Sequence, residues 1–232
     1  KWIERRFVPK FHYHYTVSTG LVHLFKNDHG IDFALIRNMP LKSNRSIHAF
    51  DDNKEKYILY QGSLNDGRGL EYMIRAMQSI EGIKLKLAGE GDLSQSLRNQ
   101  VKSLHLEDKV QFLGYVKPTD LIEITAHAYM AVNLLENKGL NYYYSLANKF
   151  FDYVQWGVPS VNMNFPEYAA IIEKHHCGIL LDDLNESSIA EIIHRLLNDK
   201  ELYLTIQRNC LAAAESLIWE NEAAVFTEKL DF

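Results

Sequence analysis

Four side chains in the run N-Y-Y-Y-S-L-A-N-K-F-F-D-Y-V-Q-W-G-V-P-S-V-N-M-N, residues 141 to 164, have the types and spacing to hold an anionic ligand. Ser145 can cap a short helix by accepting a hydrogen bond from a first-turn N–H. Lys149 then falls in the first turn, and Asp152 stands four residues beyond Asn148 on the same face. Spare N–H groups and an ammonium suit phosphate, while a carboxylate one turn further in suits a sugar diol. The same spacing also fits an amphipathic helix with a solvated polar face. A second signal is G-S-L-N-D-G-R-G at 62–69, where Gly62 and Ser63 offer backbone donors and Arg68 a planar fork suited to a diphosphate. No G-K-[ST] closes that loop, so it is not a P-loop. G-E-G-D-L-S at 89–94 carries two of the three dinucleotide-fingerprint glycines, Gly89 and Gly91. No acidic residue ends the next strand, and NAD is weakly indicated.

These loops need a scaffold, and the chain supplies a regular one from Lys56 onward. Short apolar runs at 56–62, 83–89, 110–114, 129–135, 158–163 and 177–182 read as strands. Helical patterns lie between them at 70–79, 93–104, 118–127, from Ser145, and at 167–175. Three more follow at 186–197, 199–217 and from Trp219. Strands alternating with helices of this length predict parallel βαβ crossovers: an α/β fold with a Rossmann-like, doubly wound parallel sheet. Ligands of such sheets bind beyond the carboxyl ends of the strands, where the loops 62–69, 89–92, 114–118, 135–145 and 164–166 belong. Before this domain, 12–18 and 33–38 read as strands flanking a helix capped by Ser18 and closed by Gly30. Residues 43–56 are polar and unpatterned, as a linker would be.

Composition narrows the classes. With 47% hydrophobic residues in 232 the chain can bury a substantial core. A net charge of −5, with Lys and Arg scattered, argues against a nucleic-acid binder. Cys177 and Cys210 lie far apart without ligand-like spacing, as expected for ordinary thiols in a reducing, cytoplasmic setting. No membrane-length apolar run or signal peptide is visible. No G-x-S-x-G elbow is present, and His175-His176-Cys177 reads as a turn entering a strand. His12, His14 and His23 lack partners at zinc-like spacing and read as structural. Asp51-Asp52 reads as a solvated pair, and Asp182-Asp183 as a capped turn.

Taken in order, T-V-S…I-R-N-M-P, Y-Q-G-S-L-N-D-G-R-G-L-E, L-A-G-E-G-D-L, V-Q-F-L-G-Y-V, S-L-A-N-K-F-F-D-Y-V-Q-W-G-V-P-S-V and W-E-N-E resemble the donor-binding half of a GT-B glycosyltransferase of the retaining family 4, the group 1 transferases. The resemblance implies that residues 1–42 are the tail of an N-terminal acceptor domain, 43–56 a linker and 57–232 a nucleotide-sugar domain. It places Arg68 on the donor pyrophosphate, with Gly62 and Ser63 lining the phosphate and Gly89 elsewhere in the donor site. Tyr115 and Val116 would grip the base. Ser145, Asn148 and Lys149 would stand near the phosphates or donor sugar, and Asp152 on the ribose hydroxyls. The departures are Tyr144 where the family has the first glutamate of its motif, with Glu136 out of register; Asp for Glu at 152; Ser63 for a frequent Arg; and Ala147 for a frequent Pro. The implied ligand is a nucleoside-diphosphate sugar of UDP, GDP or ADP type, with no metal and no other cofactor. The implied partner is the absent N-terminal half, through which a peripheral membrane contact would be made. No catalytic residue is assigned, and this stretch alone is expected to bind donor without transferring it. A nucleotide-sugar 2-epimerase and a non-catalytic interaction module are the alternatives.

Overall fold

The computed structural model describes residues 2–42 and 55–229. Most of the expected linker, with Asp51 and Asp52, and the last three residues of the expected donor domain lie outside the described residues.

The larger part is a six-stranded parallel sheet. Its elements run β3 (Tyr57–Gln61), α3 (Leu70–Ala76), β4 (Lys84–Ala88), α4 (Ser94–Ser103), β5 (Val110–Gly114), α5 (Pro118–Ala126) and β6 (Met130–Asn133). Then come α6 (Leu140–Tyr143), α7 (Asn148–Gln155), β7 (Ser160–Met163), α8 (Pro166–His175), β8 (Ile179–Leu181), α9 (Glu186–Asn198), α10 (Lys200–Ala214) and α11 (Trp219–Lys229). Before them lie α1 (Trp2–Phe7), a 3₁₀ turn at Val8–Lys10, β1 (Tyr15–Thr16), α2 (Thr19–His29) and β2 (Ala34–Leu35). The spatial order β5-β4-β3-β6-β7-β8 reverses direction between β3 and β6. Loops leaving those two strands diverge, and the crevice between them is where a doubly wound sheet accepts ligands.

Both faces of the sheet are covered at β3, which explains why the strand is apolar from Tyr57 to Tyr60. Ile58 and Tyr60 enter a large core with Met73, Ile74, Leu85 and Leu97. Tyr57 and Leu59 enter a smaller one with Ala131, Tyr153 and Val158, and Leu121 and Ile124 of α5 pack against it. A strand buried on both sides shows no polar alternation.

The expected strands at 12–18 and 33–38 shrink to two residues each. Only Tyr15 with Ala34 and Thr16 with Leu35 pair, in parallel across α2. Ser18 caps α2 as expected, its Oγ accepting from the Leu21 N–H, and Gly30 closes it in a left-handed conformation. This βαβ unit is tied to the larger part by carboxylates. Buried Glu167 accepts from the Gly20 N–H (2.7 Å), and Glu222 from the Arg37 N–H (2.7 Å). The Trp219 N–H donates to the Pro40 carbonyl (2.8 Å), and Met39 reaches the large core. α3 also ends earlier than expected, because residues 77–79 tighten into i→i+3 turns.

Candidate functional site

The loop leaving β3 and the tip of α7 form the site, and hydrogen bonds between neighbouring loops hold it in shape. The Leu64 N–H donates to the Glu90 carbonyl (3.2 Å), and the Leu93 N–H to the Leu64 carbonyl (2.8 Å). Asn65 Oδ1 accepts from the Asp92 N–H (3.0 Å). Tyr60 Oη, buried below, donates to the Ser63 carbonyl (2.8 Å). Two glycines permit the close approach. A Cβ on Gly89, at φ +147°, would sit 2.0 Å from the Gly62 carbonyl, and one on Gly69, at φ +66°, would sit 2.2 Å from the Leu134 carbonyl.

Charge is distributed unevenly around this loop. Asp66 pairs with Lys138 (2.5 Å) and Glu90 with Arg98 (2.7 Å), which holds both carboxyls below their usual range. Arg68 and Lys149 have no carboxylate within ion-pairing distance among the described residues. Arg68 lies over the Tyr142 ring, 5.6 Å from its centroid, and Lys149 Nζ lies 3.8 Å above the Tyr60 ring. A Cβ on Gly62 would meet Lys149 Nζ at 3.2 Å, so the ammonium sits on the backbone of the glycine turn. Burial pulls the Lys149 ammonium down to about 7, and the Arg68 guanidinium pushes it the same way. Two converging cations without a counter-carboxylate make a prepared seat for an anion.

α7 begins at Asn148 with Ala147 as its N-cap, and no side chain caps it. Ser145 does not cap this helix. It follows the single turn of α6 and stands two residues before the Ala147 cap; its N–H donates to the Tyr142 carbonyl (3.1 Å), and Ser145 Oγ is buried without a hydrogen-bond partner. Leu146 likewise precedes the helix rather than starting its apolar face, although Phe150, Tyr153 and Val154 point inward as expected. Asp152 is half-buried and turned toward the end of β3, where its Oδ2 accepts from Gln61 Nε2 (2.8 Å).

Gly62, Arg68, Gly89, Lys149 and Asp152 are therefore brought around one turn. Ser63 and Asn148 are exposed at its rim. Val116 packs on the smaller core, and the Tyr115 side chain, 80% exposed, stands in solvent beyond β5. Tyr144 points elsewhere: a Cβ on Gly20 would meet its ring at 1.9 Å, so it lies against the first turn of α2. There it borders a groove of about 370 Å³ with His23, Asn27 and Glu167. Gln61 was not legible as a site residue. Its only signal was a polar side chain ending an otherwise apolar strand. Among the described residues, no group of three His, Cys, Asp or Glu is placed to hold a metal ion.

The family model for glycosyl transferases group 1 matches residues 43–210. The chain belongs to that family. An uncharacterised glycosyltransferase of Methanocaldococcus jannaschii is 32% identical over 185 residues, spanning 77% of this chain and 45% of that protein. Anabaena HepE, solved in complex with UDP and glucose, superposes with a TM-score of 0.69 at 19% identity, over 76% of this chain and 48% of its own. WaaG, a glycosyltransferase involved in lipopolysaccharide biosynthesis, gives a TM-score of 0.74 at 13% identity over 93% of this chain and 62% of its own. The fold is thus one Rossmann-like half of a GT-B architecture. This group 1 chain spans less than half the length of the M. jannaschii relative.

Proposed function

We propose that this chain is the donor-binding part of a retaining glycosyltransferase and takes a nucleoside-diphosphate sugar in the crevice between β3 and β6. Arg68 and Lys149 flank the diphosphate, the Gly62 and Gly89 turns approach it with backbone, and Asp152 accepts from the ribose hydroxyls. The observation that carries this reading is the pair of cations without an ion-paired carboxylate among the described residues, beside two carboxylates of the neighbouring loops, Asp66 and Glu90, that are already paired elsewhere. HepE, of the same fold, was solved with UDP, which supports the choice of ligand. The two side-chain cations oppose charge developing on the leaving diphosphate, the task a divalent ion performs elsewhere, so the reading calls for none. The acceptor site belongs to the other half of a GT-B enzyme, and this half is expected to bind donor without transferring it.

Calorimetric titration with UDP, GDP and ADP tests the reading on wild type, Arg68→Ala and Asp152→Ala. One nucleotide should bind, and each substitution should weaken it at least tenfold, since charge-assisted bonds contribute roughly 1.5–3 kcal/mol. At a hundred times its dissociation constant the same nucleotide should stabilise the fold by roughly 2.7 kcal/mol. Binding that both substitutions leave untouched removes the site. No binding by any of the three leaves a non-catalytic α/β module.

A further inference from the structure

The geometry points to Gln61 as a positioning residue that aims the Asp152 carboxylate, with Thr125 holding Gln61 in turn, so that this three-residue relay sets the chain's selectivity for a ribose over a 2-deoxyribose. It rests on the assignment of Asp152 to the ribose hydroxyls proposed above.

Gln61 ends a strand whose other side chains are tyrosine or aliphatic, and it is only 5% exposed. A primary amide buried there is costly unless its donors and acceptor are met. The oxygen and one N–H are met from two helices. Thr125 Oγ1, itself buried in the last turn of α5, donates to Gln61 Oε1 (2.9 Å). Gln61 Nε2 donates to Asp152 Oδ2 (2.8 Å) on α7. The backbone N–H of Gln61 donates to Tyr153 Oη (3.3 Å), one residue further along α7. Gln61 is thus fastened through main chain and side chain to adjacent residues of one helix.

The direction of the amide follows from chemistry. An ionised carboxylate only accepts, so the nitrogen end of Gln61 must face Asp152, and the oxygen end is left for a hydroxyl donor. Thr125 supplies that donor: its one hydroxyl proton is shared between Gln61 Oε1 and the Leu121 carbonyl (2.7 Å), both reached from the same rotamer. A carboxylate has roughly four lone-pair sites, and the bond from Gln61 takes one of them. That bond fixes the plane in which the remaining sites lie. Asp152 has a shorter stem than glutamate, which keeps its carboxylate near α7 and limits the positions it can take. A bond from the strand residue just before Gly62 then sets it beside the glycine turn, within the crevice that Lys149 borders. Hydroxyl pairs are recognised only where acceptors are held at fixed angles, and sites built this way reject analogues lacking the hydroxyl.

The test is calorimetric titration with UDP, GDP and ADP and their 2′-deoxy counterparts on wild type, Gln61→Leu, Thr125→Val, Asp152→Ala and the double variant Gln61→Leu/Asp152→Ala. For the nucleotide that binds, the ribose-to-deoxyribose affinity ratio should fall on the order of tenfold in Gln61→Leu. It should fall in the same direction, by less, in Thr125→Val, which keeps the side-chain shape and removes the donor. In the double variant the ratio should equal that of Asp152→Ala alone, because Gln61 acts through Asp152. A role in packing alone would shift melting temperature and leave the ratio unchanged. If Asp152→Ala loses the selectivity while Gln61→Leu and Thr125→Val retain it, the relay is overturned and the donor site stands. If wild type binds none of the six, or Asp152→Ala keeps the selectivity, the ribose assignment fails and the relay falls with it.

Discussion

Lys149 is the side chain whose chemistry most depends on what occupies the site. Burial and the nearby Arg68 hold its free ammonium at about 7. Tyr60 lies under it, and Asp152 stands three residues on along the same helix. A bound diphosphate offsets Arg68 and restores the ammonium, so binding above about pH 7 should draw a proton from solvent, and affinity should fall as pH rises. Calorimetry in buffers of different ionisation enthalpy reads that uptake directly. Lys149→Met should abolish it and weaken binding roughly tenfold. Without ligand the linkage runs the other way for stability. The folded value of about 7 lies below the ordinary 10.5, so the unfolded chain holds more protons between the two, and this group makes the fold more stable as pH rises through that window. That Arg68, Lys149 and Asp152 come together was legible because a Gly-rich loop with an Arg and a helix start with a Lys and an Asp at helical spacing both belong at the carboxyl ends of the strands. Gln61 was hidden because a polar residue at a strand end is unremarkable until its partners, 64 and 91 positions away, are placed beside it. Ser145 misled because its hydroxyl is a good cap by type, and nothing local announced the turn of α6 before the helix.

At the scale of elements, the site depends on two loops being allowed to touch. Gly89→Ala would force a Cβ to within 2.0 Å of the Gly62 carbonyl from a backbone angle that L residues rarely adopt. Such strain costs about 1–3 kcal/mol, so urea unfolding should show a lower midpoint, and nucleotide affinity should fall as the Gly62 turn is displaced. An unchanged midpoint together with full affinity would mean that the loops have room to part. The alternation of strands and helices from β3 to β8 was readable because the central strands β3, β6 and β7 are buried on both faces, and long helices such as α4, α7 and α9 carry an apolar stripe. The strands before it were overread. Their apolar runs extend over six or seven residues, but only two residues of each find a partner. Pairing, which the sequence does not display, sets strand length.

For the whole molecule, the question is how the first 42 residues hold to the sheet domain. Glu167, 4% exposed, reaches from α8 to the first turn of α2, while α11 returns from the end of the chain to place Glu222 on Arg37. Neither contact had a local signal, since the partners lie 147 and 185 residues apart. Glu167→Ala leaves the Gly20 N–H without its acceptor, a loss of about 1–3 kcal/mol. Hydrogen exchange should accelerate across residues 19–24 and stay unchanged in β3 and β4, and uniform acceleration would instead mean that the two parts unfold as one. The anion seat at the crevice between β3 and β6 is the centre of the whole reading, and a crystal structure with the best-bound nucleoside diphosphate tests it most directly. A phosphate oxygen should lie within hydrogen-bonding reach of both Arg68 and Lys149 beside Gly62. A diphosphate seated away from that pair would contradict it.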